Sequence, residues 1–315
     1  HIISRHNAYH GSTIAAASLG GMRDMHRQSQ GLDYVRHINQ PYWFGEAGDE
    51  DPDAFGTRVA RELEQAIDEL GEERVAAFIA EPVQGAGGVI IPPDSYWPEI
   101  RRICAEREIL LVMDEVICGF GRTGAWFGCE TYDLQPDLVT FAKAVTNGYI
   151  PLGGVMVGDN VAQVLLEGEG EFAHGMTYSG HPAACAAGLA TLGLLREQRI
   201  IENAAAGIAP YFRARLAELA DHPIVGEVRS LGMFGAVELV RDKNSRARLA
   251  PDAAAAQFCR DAAGDLGLVM RQTGDAMIAA PPLVCSRNEI DELVDLFAAA
   301  LDRTAGHHGI SPTGL

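Results

Sequence analysis

Apolar residues recur along this chain with two different periods, and the switches between them outline its elements. Phe55, Val59, Leu63, Ile67 and Leu70 return every three or four residues and Gly71 follows, which predicts an amphipathic helix closed by a glycine cap. Short runs rich in Val, Ile and Leu at 75–80, 109–113, 138–142 and 153–158 predict strands, that at 109–113 a buried central one, and the chain itself enters on a strand. A loop rich in Gly and Pro precedes a predicted helix that starts near Asp94 and Ser95, both suited to cap it, and reaches about Glu108. An alanine-rich helix is expected over 182–196.

Strand and helix therefore alternate over the first two thirds, which predicts an α/β fold: a mostly parallel sheet with helices on both faces. Past residue 200 the order changes. A helix at 203–219, strands at 225–229 and 235–239, a helix at 253–265 and a last helix at 287–301 predict a smaller α+β domain. The expected division is a large domain over 1–200 and a small C-terminal one over 201–315, with no low-complexity linker at the junction.

Of the 315 residues, 25 are basic and 43 acidic, a net charge of −18 that would repel phosphate backbones and acidic lipid headgroups; nucleic acid and membrane are not expected partners. The six cysteines contain no CxxC pair, no metal site is expected, and no apolar run approaches a membrane span or a signal peptide. These features suit a cytoplasmic protein. The chain starts at His1 with no initiator Met and runs at once into a strand, so a segment is expected upstream.

Chemistry enters with a pair of residues. Asp114 follows one buried strand and Lys143 another, so both side chains should emerge at the carboxyl edge of the sheet, where open α/β folds bind ligands. A salt bridge capping two strands would leave the same trace. The alternative is pyridoxal phosphate (PLP) chemistry, which needs a lysine to condense with the cofactor aldehyde and move a proton. It also needs a carboxylate that keeps the ring nitrogen protonated. Burial of Lys143 at a strand end would favour its free-base form. Gly119, Gly121 and Gly124 match the dinucleotide fingerprint GxGxxG, but DEVIC separates them from the strand and no helical periodicity follows, so they predict a tight loop near the site instead.

The stretches FIAEPVQGAGGVIIPP, VMDEVICGFGRTG and TFAKAVTNGYIPLGG resemble the class III (omega) aminotransferases of PLP fold type I. The likeness extends over nearly the whole chain, through YHGSTIAAASLGG, TYSGHPAACAAGLA and VMRQTGDAMIAAPPLV. QPYWFGE, at 40–46, is most similar to the putrescine or polyamine:pyruvate members. The resemblance implies that Lys143 binds PLP and Asp114 pairs with its ring nitrogen. It further implies that Val116 and Tyr9 pack on the two ring faces, with His10 nearby and Glu81 close to the phenolic oxygen. Thr177 would reach the cofactor phosphate from a neighbouring subunit, which implies a homodimer with shared active sites.

Two departures from the wider family bear on substrate. Members acting on ornithine or γ-aminobutyrate carry Glu where this chain has Ala86 and Arg where it has Ile278. Arg271 instead matches the mobile arginine of the amine:pyruvate subgroup, which receives the carboxylate of pyruvate; Tyr9 and Arg271 are the expected substrate contacts. The family's Gly-Ser phosphate-binding turn is expected in the upstream segment. Transfer of an amino group from a primary or omega amine to pyruvate, giving an aldehyde and alanine, is the expected activity. A decarboxylase or aminomutase of the same fold, or a noncatalytic fragment, would share most of these motifs.

Overall fold

The structure, a computed structural model, describes residues 1–28, 31–168 and 170–311. Six strands form the first sheet: β1 (Ile2–Arg5), β2 (Val35–Ile38), β3 (Ala77–Ala80), β4 (Leu110–Asp114), β5 (Leu138–Phe141) and β6 (Gly154–Val157). Their order is β2-β1-β3-β4-β5-β6; β1 to β5 run parallel and β6 pairs antiparallel with β5 at the edge. The register sets Asp114 opposite Thr140, three residues short of Lys143.

Alternation along the central strands explains their burial. Ile3, Phe78, Ala80, Leu111, Met113 and Val139 point to one face and share a core with Phe55, Val59, Leu63 and Ile67 of the helix Pro52–Leu70 and with Tyr96, Trp97, Ile100 and Ile103 of the helix Tyr96–Glu106. The first helix begins three residues earlier than its periodicity predicts. Asp51 caps it by accepting from Asp53 N at 3.0 Å and Ala54 N at 3.2 Å, Pro52 occupies its first turn, and Gly71 closes it at φ 89°. The cap expected of Ser95 does not form: its hydroxyl donates to Asp53 O at 2.7 Å, tying the two helices together instead.

A second sheet, antiparallel throughout, has the order β10-β11-β8-β7: β7 (Val225–Leu231), β8 (Phe234–Asp242), β10 (Arg271–Thr273) and β11 (Ala276–Ala279), with the two-residue β9 (Ala247–Arg248) on β8. Its own core joins Phe212, Leu216, Val237, Leu239 and Met277 to the helices Ala254–Asp265 and Arg287–His307. The predicted helix at 203–219 is part of a longer helical run from Ile200, with a π-turn at Ala204–Ile208. The last helix exceeds its prediction by six residues, anchored at its start by a capping box between Ser286 and Glu289.

Candidate active site

Asp114 ends β4 and is buried, yet its carboxylate lacks no partner. Oδ1 accepts from Val116 N at 3.0 Å and Oδ2 from His10 Nδ1 at 2.6 Å, and the far nitrogen of that ring lies 3.3 Å from Ser4 Oγ. The short contact with the buried imidazole is the closer of the two. A salt bridge from Lys143 is not the partner that Asp114 uses.

Lys143 stands on the next strand's tip and opens a single 3₁₀ turn, Lys143–Val145. Its φ of 46° lies in the left-handed region, where a non-glycine residue is held at a cost of about 1 kcal/mol or more. The side chain is exposed, which corrects the expectation that a buried strand end desolvates it. The reason is local: β5 is followed by the edge strand β6, whose Val155, Met156 and Val157 are exposed. No described residue forms a hydrogen bond or ion pair with the Lys143 amine. The depression beside it is bordered by Ala142, Thr146, Ile150 and Gly153, and Asp114 is not among its walls.

Other predicted residues converge on Asp114 from a different side. Tyr9 N donates to Glu81 Oε1 at 3.2 Å, and Gly85 N donates to Glu81 Oε2 at 3.0 Å, so Glu81 binds the Tyr9–His10 loop to the QGAGG loop. Burial pushes the Glu81 carboxyl up and Asp114 adds to that, while His10, Arg5 and the Tyr9 amide pull it down. Both Glu81 oxygens are thus occupied by backbone amides. The Tyr9 hydroxyl lies 3.0 Å from Ser12 Oγ. Val116, whose backbone amide bonds the Asp114 carboxylate, is half-buried.

Arg271 opens β10, opposite Ile278 of β11, and is exposed. Its hairpin is tethered to the same QGAGG loop, since Thr273 Oγ1 donates to Ala86 O at 3.0 Å. Thr177 lies in an exposed stretch, and no described residue bonds it or approaches the other site residues through it. The structure therefore joins Asp114, Val116, His10, Tyr9 and Glu81 by direct bonds. It links Arg271 to them through one loop, sets Lys143 on the adjacent strand, and leaves Thr177 apart.

Sequence reasoning missed two supports. Arg229, on β7, donates to Gly88 O at 2.7 Å and Val89 O at 2.9 Å and so holds the far end of the QGAGG loop. Asn7 donates to Gly87 O at 2.9 Å and Gln40 Oε1 at 3.0 Å. A charged residue inside an otherwise strand-like run, VGEVRSL, was the only signal for the first.

The donor set suits PLP. A buried carboxylate oriented by two donors suits a protonated ring nitrogen, and a primary amine with no partner among the described residues, on the neighbouring strand tip, suits an aldehyde. Asp114 and Lys143 would hold those two ends, with Val116 and Tyr9 available to the ring faces.

Comparison with known proteins agrees in kind. The family described as "Aminotransferase class-III" matches residues 1–301. A putrescine--pyruvate aminotransferase of Pseudomonas aeruginosa is 54% identical over 305 residues, covering 96% of this chain and 66% of that protein. A diaminobutyrate--2-oxoglutarate transaminase of Halomonas elongata is 42% identical, covering 93% and 64%. This chain spans less than two thirds of the length of either relative. Among solved structures, a transaminase with L-ala superposes with a TM-score of 0.94 at 38% identity, covering 97% of this chain and 73% of that one. An (S)-enantioselective omega-transaminase from Thermomicrobium roseum gives 0.91 at 44% identity, covering 96% and 68%. The mixed sheet described above is the α/β arrangement of those structures.

Proposed function

The chain belongs to the class-III aminotransferases, and on that premise we propose that it serves in moving an amino group from a primary amine, of diamine or omega-amino type, to pyruvate. The single observation that carries the reading is the pairing at the sheet edge: a buried, doubly bonded Asp114 on one strand and an unpaired, left-handed Lys143 on the next. PLP, when bound, supplies an electrophilic aldehyde and an electron-withdrawing ring. Lys143 would hold the aldehyde end of the cofactor and would carry the proton that must leave the donor carbon. Asp114 is assigned the ring nitrogen, which it keeps protonated, with His10 bracing the carboxylate from behind. Val116 and Tyr9 restrain the two ring faces, and Glu81 fixes the Tyr9 loop.

Arg271 is assigned the carboxylate of pyruvate. It is exposed and unpaired among the described residues, so its long side chain can engage a carboxylate and withdraw without stranding a buried acid. Ala86 and Ile278 leave the pocket without the second charged pair that a dicarboxylate acceptor would call for.

A second copy of the chain is part of this proposal. Val155, Met156, Val157, Val164, Leu166, Phe172, Met176, Tyr178 and Leu189 are all exposed, and all come from the segment that also carries Thr177. So concentrated an apolar surface is typical of an interface, and a homodimer formed through it would bring Thr177 to the neighbour's cofactor phosphate and cover Lys143.

Lys143→Ala is the direct test. With PLP added, the wild-type protein should develop visible absorbance near 400 nm and convert pyruvate to alanine in step with amine consumed. The variant should lose the shifted absorbance and nearly all turnover; turnover at the wild-type level would exclude the assignment. A panel of diamines, β-alanine and aryl alkyl amines with pyruvate then ranks the donors.

A further inference from the structure

The loop between β4 and the short helix Gly128–Thr131 is closed at its base and clamped at its tip. At the base the Glu115 carboxylate, fully buried, accepts from Gly128 N at 2.8 Å and Cys129 N at 2.6 Å, and Gly119 N donates to Glu115 O at 2.8 Å. The tip carries Arg122. Its Nη1 donates to Met233 O and to Pro281 O, each at 2.6 Å, while its own carbonyl accepts from Met233 N at 2.8 Å. Its partners are neutral carbonyls, not a carboxylate.

Those acceptors lie at telling positions. Met233 sits in the turn between β7 and β8, and Pro281 follows β11, the strand that pairs with Arg271's. The fit around the tip is close as well. A Cβ on Gly232, whose φ is 58°, would stand 2.3 Å from Arg122 O, and one on Gly121 would stand 2.7 Å from a Leu283 methyl. The segment that leaves Asp114 is therefore pressed against both the β7–β8 turn and the exit of the Arg271 hairpin.

Asp114 and Arg271 belong to different sheets, so only contacts that cross between the sheets can fix their separation. One crossing is the QGAGG loop with Thr273 and Arg229, spread over several bonds. Another is the packing of Val83 and Cys118 against Phe234, Ala236 and Ala276, and a third is the Arg122 tip, where one side chain makes two bonds and its backbone carbonyl accepts one more. We propose that Arg122 is a positioning residue that clasps the Asp114 loop to the exit of the Arg271 hairpin and so sets the distance between the ring-nitrogen carboxylate and the arginine that receives the acceptor's carboxylate. This inference rests on the function proposed above. An amine donor without a carboxylate needs Asp114 but not Arg271, whereas pyruvate needs both at a fixed spacing. Loosening the clasp should therefore penalise the pyruvate stage selectively.

The test compares Arg122→Met and Arg122→Lys with wild type in two measurements. Steady-state kinetics should show KM for pyruvate raised about tenfold in the Met variant, in keeping with loss of charged hydrogen bonds, while KM for the amine moves less than about twofold; Lys should fall between. Hydrogen exchange on the cofactor-free protein should show faster exchange at 119–124, at Met233 and at 283–285 together. Equal changes in both KM values, or exchange that rises only at the tip or nowhere, would overturn the clasp. If the Met variant does not fold, the Lys variant is read by the same two criteria. Should wild type fail to transaminate, the proposed function falls, and the clasp stands or falls on the exchange pattern alone.

Discussion

Replacing Arg229 with methionine removes a buried cation while keeping most of its volume, and the consequence can be worked from the contacts. The guanidinium is 9% exposed, pairs with Glu227 at 2.5 Å and lies 2.9 Å from Glu238 Oε2; it also binds Gly88 O and Val89 O and stacks over Tyr42 at 5.3 Å. The Glu238 oxygen meets it off the N–H direction, so charge attraction rather than a formed hydrogen bond joins that pair. Methionine would leave two enclosed carboxylates without the cation in contact with them and two carbonyls without donors. Breaking a buried pair in this way costs about 3–5 kcal/mol. Burial already pushes the Glu227 carboxyl up, with Arg229 pulling it down, so loss of the arginine lets it rise further. A carboxyl raised in the folded state contributes stability below its unfolded value, near 4.3, and loses it as pH climbs through the folded value. The penalty should therefore be full at pH 8 and shrink as pH falls toward 5. Urea unfolding of wild type and variant at pH 8 and 5.5 measures both figures. A penalty below about 1 kcal/mol at pH 8, or one that grows on acidification, would refute the account.

Other outcomes follow from single features. Burial holds His6 and His37 below the ordinary histidine value, and their rings stack at 5.6 Å. Since unfolding lets them take up protons, the stability they permit is present above about pH 6.5 and lost as pH falls toward their folded values. The drop in Tm between pH 7.5 and 5.5 should accordingly be smaller in a His6→Gln/His37→Gln double variant, and an equal drop would count against this. Ser286→Ala breaks the capping box on the last helix and should cost about 1 kcal/mol in chemical denaturation without altering KM. Gly232→Ala places a methyl group against the backbone of Arg122 and Thr123 and forces alanine to hold a φ of 58°; it should lower soluble yield or Tm far more than Gly264→Ala, where open space surrounds the glycine.

The placement of Asp114 and Lys143 at neighbouring strand tips was legible because its signal is local. A run of β-branched and leucine residues that stops at Asp114, and another that stops at Ala142, gives strand ends directly, and parallel neighbours must present those ends at one edge. The helices Pro52–Leu70 and Arg287–His307 were legible for the same reason, although caps and not periodicity decide where they begin. The strand β10 left little trace, because three residues are too few to show alternation.

What the sequence hid is the wiring between elements. Arg122 finds its acceptors 111 and 159 residues away and, beside its carboxylate partners, Arg229 reaches two more about 140 away, and these distant acceptors are backbone carbonyls that any residue type supplies. No spacing rule can register a bond whose acceptor carries no side-chain identity. GFGRTG shows the consequence. The lack of helical periodicity after it argued against a dinucleotide site, and the tight turn is present, with Gly121 and Gly124 both at φ 99°. Yet the informative residue of that string is the arginine between the glycines. The glycines let the backbone approach its neighbours closely, and only at that closeness can one guanidinium reach two carbonyls of the second sheet. A loop read for what it could hold is better understood by what it fastens together.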